Sequence, residues 1–324
     1  MRPFNMVASA FLLVALSCQA QSAERSPNEV LFEVPARFVS GCPIVSFDLA
    51  SELKGKLSLE FILDSGTTRS LLLNEAEGRA RTLDPGRRGL LIPGQSTVYA
   101  GSQDFAAPNL AQFNQDLIDR LLSFHVQGML GADFLTTHDV LIDYGARRVF
   151  VSRSRDAREA PSRADRWMLI GSSSPGRAPT PNGALNRQCL VDGIRAADVR
   201  LAAKGHRVYV SANLAGDSSQ PWEMRVDTWA TRSTVPKAVA AGLKRTGVSE
   251  RISASGSTFN ADQVEATISI SKGVDLSMKP VATEETESIL GSDAFQGHTL
   301  LLQFGKARLR LWNESVLEAF GASR

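Results

Sequence analysis

Two aspartates carry the chemistry this chain can do. Asp64 ends the apolar run of Phe61-Ile62-Leu63-Asp64-Ser65-Gly66-Thr67-Thr68-Arg69-Ser70, and Asp227 stands in Met224-Arg225-Val226-Asp227-Thr228-Trp229-Ala230-Thr231-Arg232-Ser233. Aligned on the aspartates, four identities recur: Asp64/Asp227, Thr68/Thr231, Arg69/Arg232 and Ser70/Ser233. Two carboxylates close together cannot both ionise cheaply, so they share one proton, and one becomes a base while the other is an acid. Such a pair can activate a water molecule and protonate the oxygen or leaving nitrogen of an amide. Positioned proton transfer of this kind contributes roughly 10²–10⁴ in rate. The bland alternative for either aspartate is a strand-end residue that caps a turn.

The elements that must position the pair come in two copies. Gly131 follows Asp64 by 67 residues, and Gly291 follows Asp227 by 64. Seven residues beyond each glycine stands a histidine (His138, His298), and fourteen beyond stands another glycine (Gly145, Gly305). Val210-Ser211-Ala212-Asn213-Leu214-Ala215 echoes Val45-Ser46-Phe47-Asp48-Leu49-Ala50. Agreement in order, spacing and identity points to an internal duplication whose period is too long for a solenoid and suits two lobes.

Within the first copy, alternation predicts strands over Val30–Val39, Ile44–Leu49 and Leu57–Leu63, the last delivering Asp64. A helix is expected over Leu71–Leu83, stopped by Asp84-Pro85-Gly86. A hairpin is expected over Leu90–Tyr99, a helix over Leu110–Phe124, and a closing hairpin of Val140–Tyr144 and Arg148–Val151. The second copy repeats this with a strand at Arg207–Leu214, a helix at Pro236–Leu243 and polar strand material from Ile252 to Met278. Asp133 and Asp293 read as caps or turn residues. His138 and His298, matched by the duplication, read as structural.

At these residues the chain resembles the aspartic peptidases of the pepsin and retropepsin type, in a bilobed bacterial form. The resemblance covers about Val30 to Trp312, apart from the linker. It rests on Asp64-Ser65-Gly66-Thr67, the weaker Asp227-Thr228-Trp229-Ala230, and the apolar-Gly segments Leu130-Gly131 and Leu290-Gly291. It implies a mainly β fold of two homologous β-barrel lobes with a few short helices and a cleft between them. It implies Asp64 and Asp227 as the dyad. Ser65 and Thr228 would brace the two turns, with Gly66, Thr67, Trp229 and Ala230 completing them. Tyr99 would be the aromatic on a flap, or else an ordinary strand tyrosine. The substrate implied is a peptide or protein lying extended in the cleft, with no cofactor and no metal. A bilobed monomer suffices.

Trp229 departs from the pattern, which has glycine there as this chain does at Gly66. Glycine allows close backbone approach and positive φ. Either the second turn is rebuilt around Trp229, with the indole turned into the core of its own lobe or under the second hairpin, or the dyad is spoiled. The second case leaves a catalytically inactive protein on the same fold that binds a peptide or an envelope protein without cutting it.

The remaining features bound the reading. Arg2, the apolar run Met6–Leu16 and the small residues to Ala20 form a secretory signal, expected over residues 1–23, so the protein is expected in the periplasm or secreted. A lipoprotein anchor through Cys18 is disfavoured by Ala15, where such signals usually carry Leu. The apolar run is too short to span a bilayer, and no later stretch is long and apolar enough to do so. The first lobe is expected over 24–152, an Arg/Ser/Pro/Gly-rich linker over 153–186 and the second lobe over 187–324. In an oxidising compartment Cys42 and Cys189 form either one inter-lobe disulfide or two buried free thiols. A net charge of +2 supports no nucleic-acid footprint. Ser51-x-x-Lys54 matches a Ser-Lys nucleophile pattern but lacks its partner motifs and falls in an expected turn.

Overall fold

A computed structural model describes residues 30–51, 55–72, 89–91, 99–102, 125–152, 184–186, 196–204, 207–215, 221–252, 258–271, 274–284, 287–313 and 315. The expected signal peptide, the Leu110–Phe124 helix, Cys189 and residues 153–183 of the expected linker lie outside these. Among the described residues no helix is long and apolar enough to cross a membrane.

The chain is mainly β. The first lobe comprises β1 (Val30–Val34), β2 (Ala36–Val39), β3 (Cys42–Ser51), β4 (Gly55–Leu63), β5 (Leu71–Leu72), β6 (Gly89–Leu91), β7 (Tyr99–Ser102), β8 (Gly128–Leu130), β9 (Val140–Asp143) and β10 (Arg148–Ser152). β11 (Ala184–Asn186) lies between the lobes in sequence, and the second comprises β12 (Ala197–Arg200), β13 (Ala202–Lys204), β14 (Arg207–Leu214), β15 (Trp222–Val226), β16 (Thr234–Pro236), β17 (Lys244–Ile252), β18 (Thr258–Ser271), β19 (Val274–Met278), β20 (Val281–Thr283), β21 (Ser288–Leu290), β22 (Thr299–Gln303) and β23 (Arg308–Trp312). Short helices cover Ala132–Thr137 and Lys237–Ala240, and 3-10 turns cover Ser292–Phe295 and Phe304–Lys306.

Each lobe has its own sheet. The first runs β5-β8-β4-β3-β6-β7 with β2 on β3, and the second runs β13-β14-β15-β21-β16-β20-β18-β17 with β19 on β18. A third sheet, β11-β1-β10-β9-β22-β23-β12, joins the lobes. Its centre is the antiparallel pair of β9 and β22, in which Leu141 faces Leu301 and Ile142 faces Leu300. Leu141 and Leu301 lie ten residues beyond Gly131 and Gly291 respectively, so they are equivalent in the two copies. The duplication is therefore symmetric about that one residue pair. Outward from it, Arg148 pairs with Glu33 and Arg308 pairs with Asp198, matched ion pairs on matched strands.

Three expectations need correcting. The strand over Val30–Val39 is two strands broken at Pro35, which cannot donate to a ladder and whose carbonyl instead accepts the Ser46 amide at 2.8 Å. Leu71 and Leu72 form β5, antiparallel to β8, where a helix was expected; the rest of that segment lies outside the described residues. The helix at Pro236–Leu243 is helical only over Lys237–Ala240, and β17 begins at Lys244. In addition, the expected linker ends in β11, paired with β1. Arg207–Leu214 is a strand with the bounds expected.

Candidate active site

Both aspartates follow the same local construction. β4 runs parallel to β8, with Leu63 beside Leu130, and β15 runs parallel to β21, with Val226 beside Leu290. The amide of Asp64 donates to the Leu130 carbonyl and that of Asp227 to the Leu290 carbonyl, at 2.9 and 3.0 Å. The chain then turns sharply, and the turn is tied to the apolar-Gly segment. Ala132 donates to the Thr67 carbonyl and Ser292 to the Ala230 carbonyl. Ser70 and Ser233 each donate their amide and hydroxyl to Asp133 and Asp293, and accept the amides of Gly131 and Gly291. Asp133 and Asp293 are thus turn braces, as their positions suggested.

The turns are also tied to each other across the lobes. Ser65 Oγ accepts the Thr228 amide at 3.0 Å and donates to the Val226 carbonyl at 2.9 Å. Thr228 Oγ1 accepts the Ser65 amide at 3.1 Å and donates to the Leu63 carbonyl at 2.7 Å. Both hydroxyls are buried without exposure. These four bonds are reciprocal, so each lobe satisfies the buried backbone groups of the other.

Within each turn the aspartate oxygen Oδ1 accepts two amides. Asp64 takes those of Gly66 and Thr67 at 2.8 and 3.1 Å; Asp227 takes those of Trp229 and Ala230 at 3.1 and 3.0 Å. Asp64 Oδ2 accepts the Thr67 hydroxyl at 2.8 Å. Ala230 has no hydroxyl, and Asp227 Oδ2 instead accepts from the Arg225 guanidinium at 3.1 Å. Arg225 also pairs with Glu287 at 3.0 Å.

Gly66 separates the carboxylates. A Cβ there would stand 2.3 Å from Asp227 Oδ2, so any side chain at 66 would displace the second aspartate. Close approach therefore requires the glycine; its φ is not positive, nor is that of Trp229. Asp64 and Asp227 are 4% and 7% exposed. Burial first, and then the Asp227 charge, pushes the Asp64 carboxyl up to about 7, against the Thr67 and Gly66 hydrogen bonds that favour its charged form.

Trp229 leaves its lobe altogether. Its half-buried indole packs with Val39 on a cluster of Ile44, Ile62, Leu71, Val126 and Met129, all from the first lobe. The expectation that it would turn into its own lobe or under the second hairpin is corrected: it spans the interface, while its amide still serves Asp227. Its carbonyl accepts the Cys42 thiol at 3.0 Å. Cys42 is a buried free thiol, pushed up to about 12 chiefly by burial. Cys189 lies outside the described residues. Tyr99 opens β7, facing Leu91 of β6 across the hairpin; its side chain lies outside the described part of the structure.

Arg225, Glu287 and Tyr209 were not singled out from the sequence. The one signal available was a lone arginine two residues before Asp227, where the first copy has Ile62.

No protein-family model matches the chain, and no curated protein matches it significantly. Among solved structures, the chain is similar to conglutin gamma, a basic 7S globulin from lupine seeds, with a TM-score of 0.48 and 10% identity over 91% of this chain and 97% of that one. It is similar to basic 7S globulin from soybean with the same TM-score and identity, over 89% of this chain and 96% of that one.

Proposed function

We propose that the protein is an exported aspartic-type peptidase, hydrolysing peptide bonds with water activated by Asp64 and Asp227. The observation that carries the reading is the reciprocal lock of Ser65 and Thr228. It holds two buried aspartates against a single intervening glycine, and one of them keeps its proton up to about pH 7. One carboxylate then takes a proton from water as its oxygen attacks the peptide carbonyl carbon, and the other protonates the carbonyl oxygen. Collapse of the resulting diol returns a proton to the leaving nitrogen and breaks the C–N bond. The N-terminal charged, apolar and small-residue pattern supports export.

The test is cleavage of a synthetic peptide library by the purified protein between pH 3 and 8, with Asp64→Asn alongside. An amide can neither hold nor return the shared proton, so the variant should remain folded and lose at least about a hundredfold in kcat, one proton-transfer contribution. Cleavage at an unchanged rate in Asp64→Asn would move the chemistry elsewhere.

A second reading is a peptide-binding protein that does not cut. The Arg225 contact on Asp227, together with Trp229 at the motif glycine, favours it. Saturable binding of library peptides without cleavage at any pH would support that reading over the first.

A further inference from the structure

The two aspartates are held alike by backbone and differently by side chain. A neutral hydroxyl, that of Thr67, meets Oδ2 of Asp64, whereas the Arg225 cation meets Oδ2 of Asp227. Arg225 is itself fixed: Glu287 pairs with it at 3.0 Å, and Glu287 accepts the Tyr209 hydroxyl at 2.7 Å and lies 3.6 Å from Arg207. The side chains of Arg225 and Asp227 are 13% and 11% exposed, so water screens their contact weakly.

The strand register identifies what stands in these places in the first lobe. β3 pairs Ile44 with Ile62, and β14 pairs Tyr209 with Arg225. The first-lobe counterparts of Tyr209 and Arg225 are therefore two isoleucines, buried in the cluster that Trp229 covers. One face of the duplicated sheet is apolar and roofed by an indole, while its equivalent carries a linked Tyr-Glu-Arg network ending on Asp227.

We propose that Arg225 is a positioning residue that gives the two aspartates fixed roles, holding the negative charge on Asp227 and so the shared proton on Asp64. The proposal rests on the peptidase reading of the site and assigns its steps. Asp227 takes the proton from water as the water oxygen bonds to the carbonyl carbon, and Asp64 gives its proton to the carbonyl oxygen. On collapse, Asp227 passes its proton to the leaving nitrogen, Asp64 recovers one from the diol, and the C–N bond breaks. The dyad ends as it began. Among the described residues, the other groups that bear on Asp227 include Asp64, Glu287 behind Arg225, and, from the first lobe, Cys42 and Tyr144, whose own loss of a proton the Asp227 charge opposes.

Removing the cation makes the singly protonated pair harder to form from the doubly protonated one. In Arg225→Met the acid limb of kcat/KM should move up by about one to two pH units, the size of effect an adjacent opposite charge has. Arg225→Lys should keep the wild-type limb. Arg225→Ile with Ala230→Thr builds the first lobe's own arrangement in the second; it should move the limb in the same direction but less far, because a hydroxyl at 230 favours the charged carboxylate as Thr67 does at Asp64, and it serves where Arg225→Met does not fold. Carbon-13 NMR of labelled aspartate carboxyls reads the lower titration step of the pair without need of turnover. If the protein cuts no peptide and that step still moves up in these variants, the role of Arg225 stands and the peptidase reading falls. If cleavage is intact and neither the acid limb nor the lower step moves, the role of Arg225 is overturned and the peptidase reading is untouched.

Discussion

Asp64 ties the site to the stability of the whole chain. An aspartate whose carboxyl is raised on folding from 3.8 to about 7 binds its proton more tightly in the native than in the unfolded state. Between those values the native protein holds a proton that the unfolded chain has lost, so stability falls as pH rises. The contribution is fully present below pH 3.8 and gone above about 7. Each tenfold gain in proton affinity is worth about 1.4 kcal/mol, so the decline amounts to a few kcal/mol. The pH dependence of urea midpoints should therefore be flatter in Asp64→Asn than in the wild type between pH 4 and 7. Parallel curves would show that Asp64 carries no raised titration. On the proposed peptidase reading, cleavage needs one proton on the pair and should fall as pH rises through about 7. The two aspartates stood out in the sequence because their spacing repeats; a bracing role for Ser65 and Thr228 came only with the resemblance to aspartic peptidases, since their bonds run from one turn to the other. Arg225 was not, because its partners Asp227 and Glu287 come together only when β15 lies beside β21.

Elements were legible where their own pattern decides them and obscure where a partner does. β14 has alternating buried and exposed residues, and its bounds could be read directly. Leu71 and Leu72 begin a segment with helical spacing, yet they pair with Met129 and Gly128 of β8, and the ladder overrides the local pattern. The turn at Trp229 is the same lesson at the site. Glycine in the motif suggested a backbone constraint, but the turn forms with ordinary φ and its amides still reach Asp227. The difference lies in the side chain's destination, a first-lobe cluster that no local reading of the second lobe contains. Trp229→Gly should therefore cost about 2 kcal/mol in urea unfolding, roughly half the usual cost of truncating a fully buried Trp, because the indole is only half-buried. Peptide cleavage should not rise. A large gain of activity in Trp229→Gly would mean that the indole obstructs the dyad.

At the scale of the molecule, the lobes are held together by the central sheet and by the lock beneath the aspartates. The sheet pairs equivalent residues, Leu141 with Leu301, so it sets the symmetry of the halves. The lock sets the distance between the carboxylates. Each hydroxyl in it satisfies two backbone groups. Thr228→Val leaves the Ser65 amide and the Leu63 carbonyl without those partners, and Ser65→Ala does the same to the Thr228 amide and the Val226 carbonyl. An unsatisfied buried polar group costs about 1–3 kcal/mol, so each single variant, leaving two, should lose about 2–6 kcal/mol. The two hydroxyls bond different groups, yet both hold the same pair of turns. Once one is removed the turns can separate and admit water, and the second has less to lose. The double variant should therefore fall short of the sum of the singles by at least about 0.5 kcal/mol, the scale on which residues of one network couple. Cleavage should drop in either single variant, since the carboxylates then lose their common frame. Strictly additive unfolding energies with unimpaired cleavage would mean that each turn is held by its own lobe and that the central sheet alone brings the aspartates together.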